Sequence, residues 1–449
     1  MNDNIISKYV YQFISSKNEN LIYSSRSNSI LKITKELSEF LEEAKQKSSL
    51  LLYLDEKLFQ LFKHHKIIVN KRDDADFLLE RQFVEDQITF SNSTIGLVLV
   101  PTLACNFDCS YCFEEGKKAV KMNDDIIEQL ILFVKRHKNA KNLEITWYGG
   151  EPLLAFDTIK RIIDKIKNEI DLKLTKHSIV TNGYYFTNEV IDYFKINTLN
   201  DIQITLDGNK ERHDSIRKQK KTGEGSYEVL MNNIENILEK LSDTQLSIRV
   251  NIDKKNVDDF NIIYHDLRER WKGKKINIYP GILRIDNDSK KALSSESLSQ
   301  WETFDLYFDL RKKKMIEGSI FPTLEYHKGC CATVLNSYII GPRGEIYKCW
   351  NDVSDETRIV GYIKDEKLSN PSLFYRYIIG SKFYKDKECL DCFLLPVCSG
   401  KCAFFHLRNL YEDGKYNLCQ CLQKSPYLLN RCLEHFYYEN TDKVCSYKD

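Results

Sequence analysis

The run LVLVPTLACNFDCSYCFEEG (residues 97–116) joins a strand to a cysteine loop. Leu97 to Val100 is apolar and β-branched, which predicts a buried strand; Pro101 ends it, and Cys105, Cys109 and Cys112 follow on a tight loop. In open α/β folds, sites lie outside the carboxyl ends of the strands, where this loop stands. Three thiolates are one fewer than a cubane iron–sulfur cluster takes, so a cluster held here keeps one iron open to an exogenous ligand. An open iron implies chemistry.

Downstream of this loop, strand and helix patterns alternate as a parallel α/β domain requires. LVLV, NLEITWYG, HSIVTNG, DIQITLDG, LSIRVNID and KINIYPG are six predicted strands. NDDIIEQLILFVKRHK, FDTIKRIIDKIKNEI and SYEVLMNNIENILEKL have helical periodicity between them. Six β/α units imply a partial, TIM-like (β/α)6 barrel over residues 91–290, with functional groups on the loops after its strands. A bridging segment, 291–325, contains a predicted helix over SLSQWETFDLYFDLRKKKMIEG, and its KKK run reads as a solvated helix end. Residues 326–449 are rich in cysteine, aromatics and turns, with little periodicity, and metal clusters would supply the cross-links such a segment lacks.

Residues 1–90 read as a separate α+β module. YVYQFI and NLIYSS flank the turn-prone SSKNEN and predict a hairpin; KITKELSEFLEEAKQ and DEKLFQLFKHH predict helices, and KIIVN a strand. This order resembles the winged-helix-like element with which many ribosomal-peptide-modifying enzymes bind a leader peptide. The physical rationale is strand addition to an exposed hairpin edge. A structural cap on the catalytic domain is the bland alternative.

Composition narrows the class. Hydrophobic residues make up 42% of the 449-residue chain and charged residues 29%, as in ordinary globular proteins. The net charge of +1 gives no basis for nucleic-acid or membrane binding through bulk electrostatics. Neither a signal peptide nor an apolar span of about 20 residues is recognisable, so a cytoplasmic location is expected. Fourteen cysteines, none before Cys105 and eleven beyond Gly329, point in such a chain to metal or redox chemistry rather than disulfides.

Cys105, Cys109 and Cys112 form C-x3-C-x2-C with Tyr111 before the last cysteine, and this resembles the signature of the radical S-adenosylmethionine (SAM) superfamily. The resemblance implies a [4Fe–4S] cluster on the three thiolates and SAM on its fourth iron, cleaved reductively to a 5′-deoxyadenosyl radical. Structural zinc, the alternative, ordinarily takes a fourth protein ligand. Tyr148-Gly149-Gly150-Glu151-Pro152 resembles the family's GGEP element, which implies contact with the methionyl amine of SAM through backbone and the Glu151 carboxylate. Thr181-Asn182-Gly183 would meet the ribose or the substrate channel, or simply end its strand. Thr205-Leu206-Asp207-Gly208 with His213, Asp214 and Arg217 is similar to an LDG…HDxxR stretch of relatives, implying that Thr205 and Arg217 hold the SAM carboxylate while Asp207 and His213 brace the loop.

The C-terminal cysteines resemble the SPASM domain, a radical SAM extension with two auxiliary iron–sulfur clusters. Gly344 to Cys349 gives G-x4-C; Cys389, Cys392, Cys398 and Cys402 give C-x2-C-x5-C-x3-C. Carried over, the pattern assigns Cys330 or Cys331, Cys349 and Cys402 to one cluster. The other takes Cys389, Cys392, Cys398 and either Cys419 or Cys421, between which the spacing does not choose. Adjacent side chains diverge in extended backbone, so Cys330 and Cys331 are not both expected to reach one cluster; whether an auxiliary iron is then open to a ligand the spacing does not decide. Cys432 and Cys445 read as ordinary thiols.

Together these resemblances imply a leader-dependent peptide maturase, with a ribosomally made precursor as substrate and flavodoxin or ferredoxin as electron donor. Thioether cross-linking is the first expectation. An anaerobic sulfatase maturase, forming formylglycine, is the alternative; such enzymes typically have a basic Asp directly after the G-x4-C cysteine, where this chain has Trp350. A non-catalytic peptide-binding or electron-carrier protein would be expected to lose the cysteine triad or the SAM loop, and both are intact.

Overall fold

A computed structural model describes residues 3–112, 119–283, 297–317, 324, 329–416 and 425–440. The chain forms two compact units. One comprises Met1–Thr89, Tyr307–Cys330 and Ile378–Asp449; the other comprises Phe90–Leu306 and Cys331–Tyr377. The cysteine-rich region splits between the units, and the N-terminal residues share theirs with the C-terminal ones.

In the first unit, β1 (Asn4–Ile6) pairs antiparallel with the later β5 (Ile68–Asn70), and β2 (Val10–Ile14), β3 (Asn20–Ser24) and β4 (Ser29–Ile33) form an antiparallel meander. The predicted hairpin is β2–β3, and the predicted helices are Lys35–Gln46 and Glu56–His64. Each starts at a side chain that satisfies free backbone donors: Thr34 accepts from Leu37 N, and Asp55 from Lys57 N and Leu58 N. Their apolar residues Leu41 and Phe62 pack with Ile22, Ile33 and Ile68. A further helix, Asp73–Thr89, was not expected from the sequence. Its Asp74 accepts from Ser7 Oγ at 2.9 Å and Lys8 N at 2.9 Å and pairs with Arg26 at 3.1 Å. Phe77 of this helix packs with Tyr9, Phe383 and Leu395, so the N-terminal residues share a core with the C-terminal segment.

The second unit is built on a nine-stranded sheet. Its strands are β6 (Thr94–Leu99), β7 (Asn142–Trp147), β8 (Lys173–Thr181), β9 (Asp201–Leu206), β10 (Gln245–Ile252), β11 (Ile276–Ile282), β12 (Ser337–Ile340), β13 (Glu345–Tyr347) and β14 (Gly361–Tyr362). The order is β11-β10-β9-β8-β7-β6-β12-β13-β14. The six predicted strands lie parallel in chain order; β12 adds a seventh parallel strand beside β6, and β13 and β14 close the edge antiparallel.

Cross-strand register divides this sheet into two unlike faces. On one, Leu97, Ile145, Ile179, Ile204, Ile248 and Ile278 are buried, as are the apolar residues of the helices Asp124–Lys135, Phe156–Glu169, Asn188–Ile196 and Tyr227–Lys240. Each such side chain stabilises the fold by about 1.5–3 kcal/mol. The other face carries Thr146, Ser178, Gln203, Thr205, Asp207, Arg249, Asn251 and Tyr279. A polar inner face is unusual for parallel strands, which are ordinarily apolar on both sides, and it makes this side the one equipped to meet a polar ligand. Among the described residues, no helix is long and apolar enough to cross a membrane.

Candidate active site

The chemistry-bearing motifs, the C-terminal cysteines aside, lie at or just beyond the carboxyl ends of β6 to β9. The cysteine loop is tied down by Leu103 N donating to Val120 O at 3.0 Å and Met122 N to Pro101 O at 2.9 Å. Against it lies the turn after β7. Gly150 N donates to Thr102 O at 3.3 Å and Glu151 N to Ala104 O at 2.8 Å. Gly149 has φ +125°, and a Cβ on Gly150 would stand 2.3 Å from Ala104 O, so both positions require glycine.

Glu151 is engaged within the protein. Its carboxylate is wholly buried and accepts from Leu153 N at 3.0 Å, Thr181 Oγ1 at 2.8 Å and Asn182 N at 2.8 Å. Burial pushes its pKa up, against these three donors. The side chain thus clamps the ends of β7 and β8 together, while the backbone of the turn packs against the cysteine loop. Thr181 is engaged in the same clamp, whereas Asn182 turns to the cysteine loop and donates to Asn106 Oδ1 at 2.8 Å.

A second network fixes Tyr111. Its hydroxyl donates to Asp207 at 2.7 Å and accepts from Arg217 Nη2 at 2.7 Å and Asn251 Nδ2 at 2.9 Å. Arg217 Nε also donates to Asp207. Burial pushes the Asp207 carboxyl up, but Arg217 and Tyr111 outweigh it and leave it below its usual value. Arg217, expected to hold a ligand carboxylate, is therefore committed to Asp207 and Tyr111. His213 accepts from Asp207 N through Nδ1 at 3.3 Å and lies 3.1 Å from Ser226 Oγ; burial takes it down to about 4, so it braces the loop as a neutral ring. Thr205 is half-buried on the polar face. Asn251, near the end of β10, and Asn106, in the cysteine loop, join the site beyond the expected set, and nothing in the sequence motifs marked them.

The three thiols are half-buried, and burial raises Cys105 to about 12 and Cys109 to about 11. Such thiols stay protonated until a cation displaces the proton, as cluster irons do. Among the described residues, no three His, Cys, Asp or Glu side chains converge on a single metal ion; a cubane instead takes one thiolate per iron. Two buried polar atoms nearby, Asn106 Nδ2 and Asn251 Oδ1, have no hydrogen-bond partner among the described residues. A soft donor triad, a glycine turn and two orphaned polar atoms fit a cluster with a polar ligand beside it.

The remaining cysteines divide. Cys331 is half-buried, with Trp350 Nε1 donating to its sulfur at 3.0 Å; Cys349 is buried, and the neighbouring Cys330 is exposed. Trp350 stands edge-on to Tyr148 at 4.6 Å. Cys389, Cys392, Cys398 and Cys402 follow one another on short turns of the other unit. Cys419 and Cys421 lie outside the described residues.

Residues 99–267 match the model of the Radical SAM superfamily. The chain is 27% identical over 338 residues to the Clostridium novyi cysteine-type anaerobic sulfatase-maturating enzyme, covering 69% of this chain and 88% of the relative. It is 24% identical over 446 residues to the radical SAM cyclopropyl synthase TigE of Paramaledivibacter caminithermalis, covering 89% of each. The fold is similar to that of Streptococcus suis SuiB bound to its precursor peptide SuiA, with TM-score 0.51 and 14% identity over 92% of this chain and 97% of that one.

Proposed function

We propose, from the premise that the chain is a radical SAM enzyme related to both peptide maturases and sulfatase maturases, that it modifies a ribosomally made precursor peptide by thioether cross-linking. The observation that carries this reading is the convergence of the cysteine loop, the glycine turn and the Tyr111–Asp207–Arg217–Asn251 network at one end of a polar sheet face. Cys105, Cys109 and Cys112 would hold the [4Fe–4S] cluster, which with SAM supplies a 5′-deoxyadenosyl radical. The Glu151 clamp fixes the turn that faces the methionyl group, and the Tyr111 network holds the last cysteine's neighbour rigid. Forming the thioether replaces one S–H and one C–H bond by a C–S bond. One hydrogen leaves in 5′-deoxyadenosine; the other leaves as a proton and an electron, whose acceptor would be an auxiliary cluster on the C-terminal cysteines. A one-electron donor such as flavodoxin or ferredoxin would start each turnover. The β2–β3–β4 meander offers β4 as an edge to which a leader strand would add.

The sulfatase-maturase reading is favoured by the Clostridium novyi relative. Against it, Trp350 occupies the position of the expected base. The nearest acid, Asp352, is wholly buried, accepting from Tyr377 Oη at 2.6 Å with Arg358 at 3.9 Å. Anaerobic turnover with SAM, reductant and either a short peptide encoded beside this protein's own gene or a sulfatase peptide separates the two: a precursor lighter by two hydrogens, with leader removal weakening its binding, is expected. Formylglycine in the sulfatase peptide would overturn the proposal. Replacing Cys105, Cys109 and Cys112 together by Ala should abolish SAM cleavage yet leave iron on the C-terminal cysteines, and complete loss of iron would contradict auxiliary clusters.

A further inference from the structure

Within the first unit, the N-terminal segment touches the turn that carries Cys389 and Cys392. Lys8 Nζ donates to Leu390 O at 2.9 Å, Ser25 Oγ donates to Phe393 O, and the Tyr11 ring stacks on Phe393 at 5.0 Å. Tyr9, in the same segment, packs with Phe77, Phe383 and Leu395, and Cys389 and Leu390 lie against that cluster. Tyr9 is 0% exposed, yet its hydroxyl has no hydrogen-bond partner among the described residues. Burial first, then the Asp74 charge and the Cys392 thiol push its pKa up, with Arg26 opposing. Asp74 is already taken by Ser7, Lys8 N and Arg26. A hydroxyl buried without a partner is costly, and a Phe ring would fill this core without that cost.

The cysteines beside it suit a cluster. Cys392 is buried, Cys389 and Cys398 are half-buried, and Gly400 N donates to Cys398 Sγ at 3.3 Å. Asp386, at the start of the Cys389 turn, accepts from Lys401 Nζ at 2.5 Å and is 2.9 Å from His406 Nε2, which ties this turn to the segment of Cys398 and Cys402. A partner for the Tyr9 hydroxyl would therefore arrive with the metal.

We propose that Tyr9 is the hydroxyl donor that the N-terminal segment contributes to an iron–sulfur cluster on Cys389, Cys392 and Cys398, bonding to the Cys392 thiolate or a sulfide beside it. This rests on the auxiliary-cluster reading given above. An O–H donated to cluster sulfur stabilises the more negative, reduced state and so raises the reduction potential. The residue thus makes this cluster a better electron acceptor.

The test uses the full chain with Cys105, Cys109 and Cys112 replaced by Ala, so that only the C-terminal clusters remain. It is reconstituted anaerobically and titrated with redox mediators while electron paramagnetic resonance follows the reduced clusters; the couple concerned is the one that Cys392→Ala removes. In Tyr9→Phe that couple's reduced fraction at a fixed poise should drop about tenfold, a shift of roughly 59 mV to lower potential for one electron, with iron content as in the parent protein. Tyr11→Phe removes a hydroxyl bonded to Asn430 Oδ1 at 2.9 Å and should leave the midpoint unchanged. An unchanged midpoint in Tyr9→Phe, or the same shift in both variants, would overturn the assignment. Failure of Tyr9→Phe to fold would reveal a hydroxyl bonded within the protein and would overturn it too. A triple-Ala protein that holds no iron would instead refute the auxiliary-cluster reading, and the role of Tyr9 with it.

Discussion

Asp207→Asn tests whether the buried network around Tyr111 is held by charge. Asp207 is 1% exposed and Arg217 8% exposed, so the pair is removed from solvent. Substitution leaves Arg217 without its counter-charge and turns an amide N–H toward one of the donors Tyr111, Arg217 or Asn251, each of which now contacts a carboxylate oxygen. Removing one partner of a buried pair costs about 3–5 kcal/mol, several times what an exposed pair contributes. Removing both should cost less, so Asp207→Asn with Arg217→Gln should recover part of the loss. Anaerobic urea denaturation followed by tryptophan fluorescence reads the right unit, since Trp147, Trp271, Trp301 and Trp350 all lie in it. The pH dependence has a definite sign. The folded Asp207 carboxyl lies below its ordinary 3.8, so its contribution is fully present above that value and is lost as pH falls through the folded value. A loss under about 1 kcal/mol at neutral pH, or a double variant no better than the single one, would refute electrostatic locking.

Gly150→Ala forces a Cβ to within 2.3 Å of Ala104 O and 2.6 Å of Leu103 O, and both are backbone atoms. SAM-dependent release of 5′-deoxyadenosine should fall to background in this variant, and a wild-type rate would show that the turn does not need the close approach. His177 and His213 are both lowered by burial from 6.5 to about 4 and are neutral in the fold. The unfolded chain binds the extra protons in that window, so stability should rise with pH between the two values by up to roughly 1.4 kcal/mol per pH unit per histidine. Denaturation midpoints across that range should flatten in His177→Gln; an unchanged slope would exclude the ring as their source. Cys331→Ala should lower the iron content of the reconstituted protein while Cys330→Ala leaves it unchanged, because Cys331 receives the Trp350 N–H and Cys330 is exposed. The opposite result would reverse their roles.

The six parallel strands were legible because each either alternates or, as in LVLV, runs continuously apolar between turn residues, and such short patterns survive whatever packs around them. The four-residue β12 was not, since its partner β6 lies more than 200 residues earlier and nothing local marks SYII as its neighbour. The helix Asp73–Thr89 escaped for a different reason. Asp74, Phe77 and Arg81 are all buried, so polar and apolar contacts share its packed surface and no clean apolar stripe appears. This also explains why residues 1–90 looked self-contained: the contacts of Phe77 with Phe383 and Leu395 cross some 300 positions.

Within the site, residue type and spacing located the motifs but not the direction of each side chain. Glu151 was read as facing a ligand, yet three protein donors turn it inward, because a buried carboxylate is held by whatever hydrogen-bond donors surround it. The two arginines make the same point in opposite senses. Arg217, placed by a family motif, stands against an acid and a phenol and acts as a brace. Arg249, in the predicted strand LSIRVNID but in no motif, has Thr205 and Tyr279 as register partners and no described acid for its Nε. Sequence reveals two guanidinium groups but not which of them stands beside a carboxylate. That is set by cross-strand register and loop closure, and so becomes visible only in the fold.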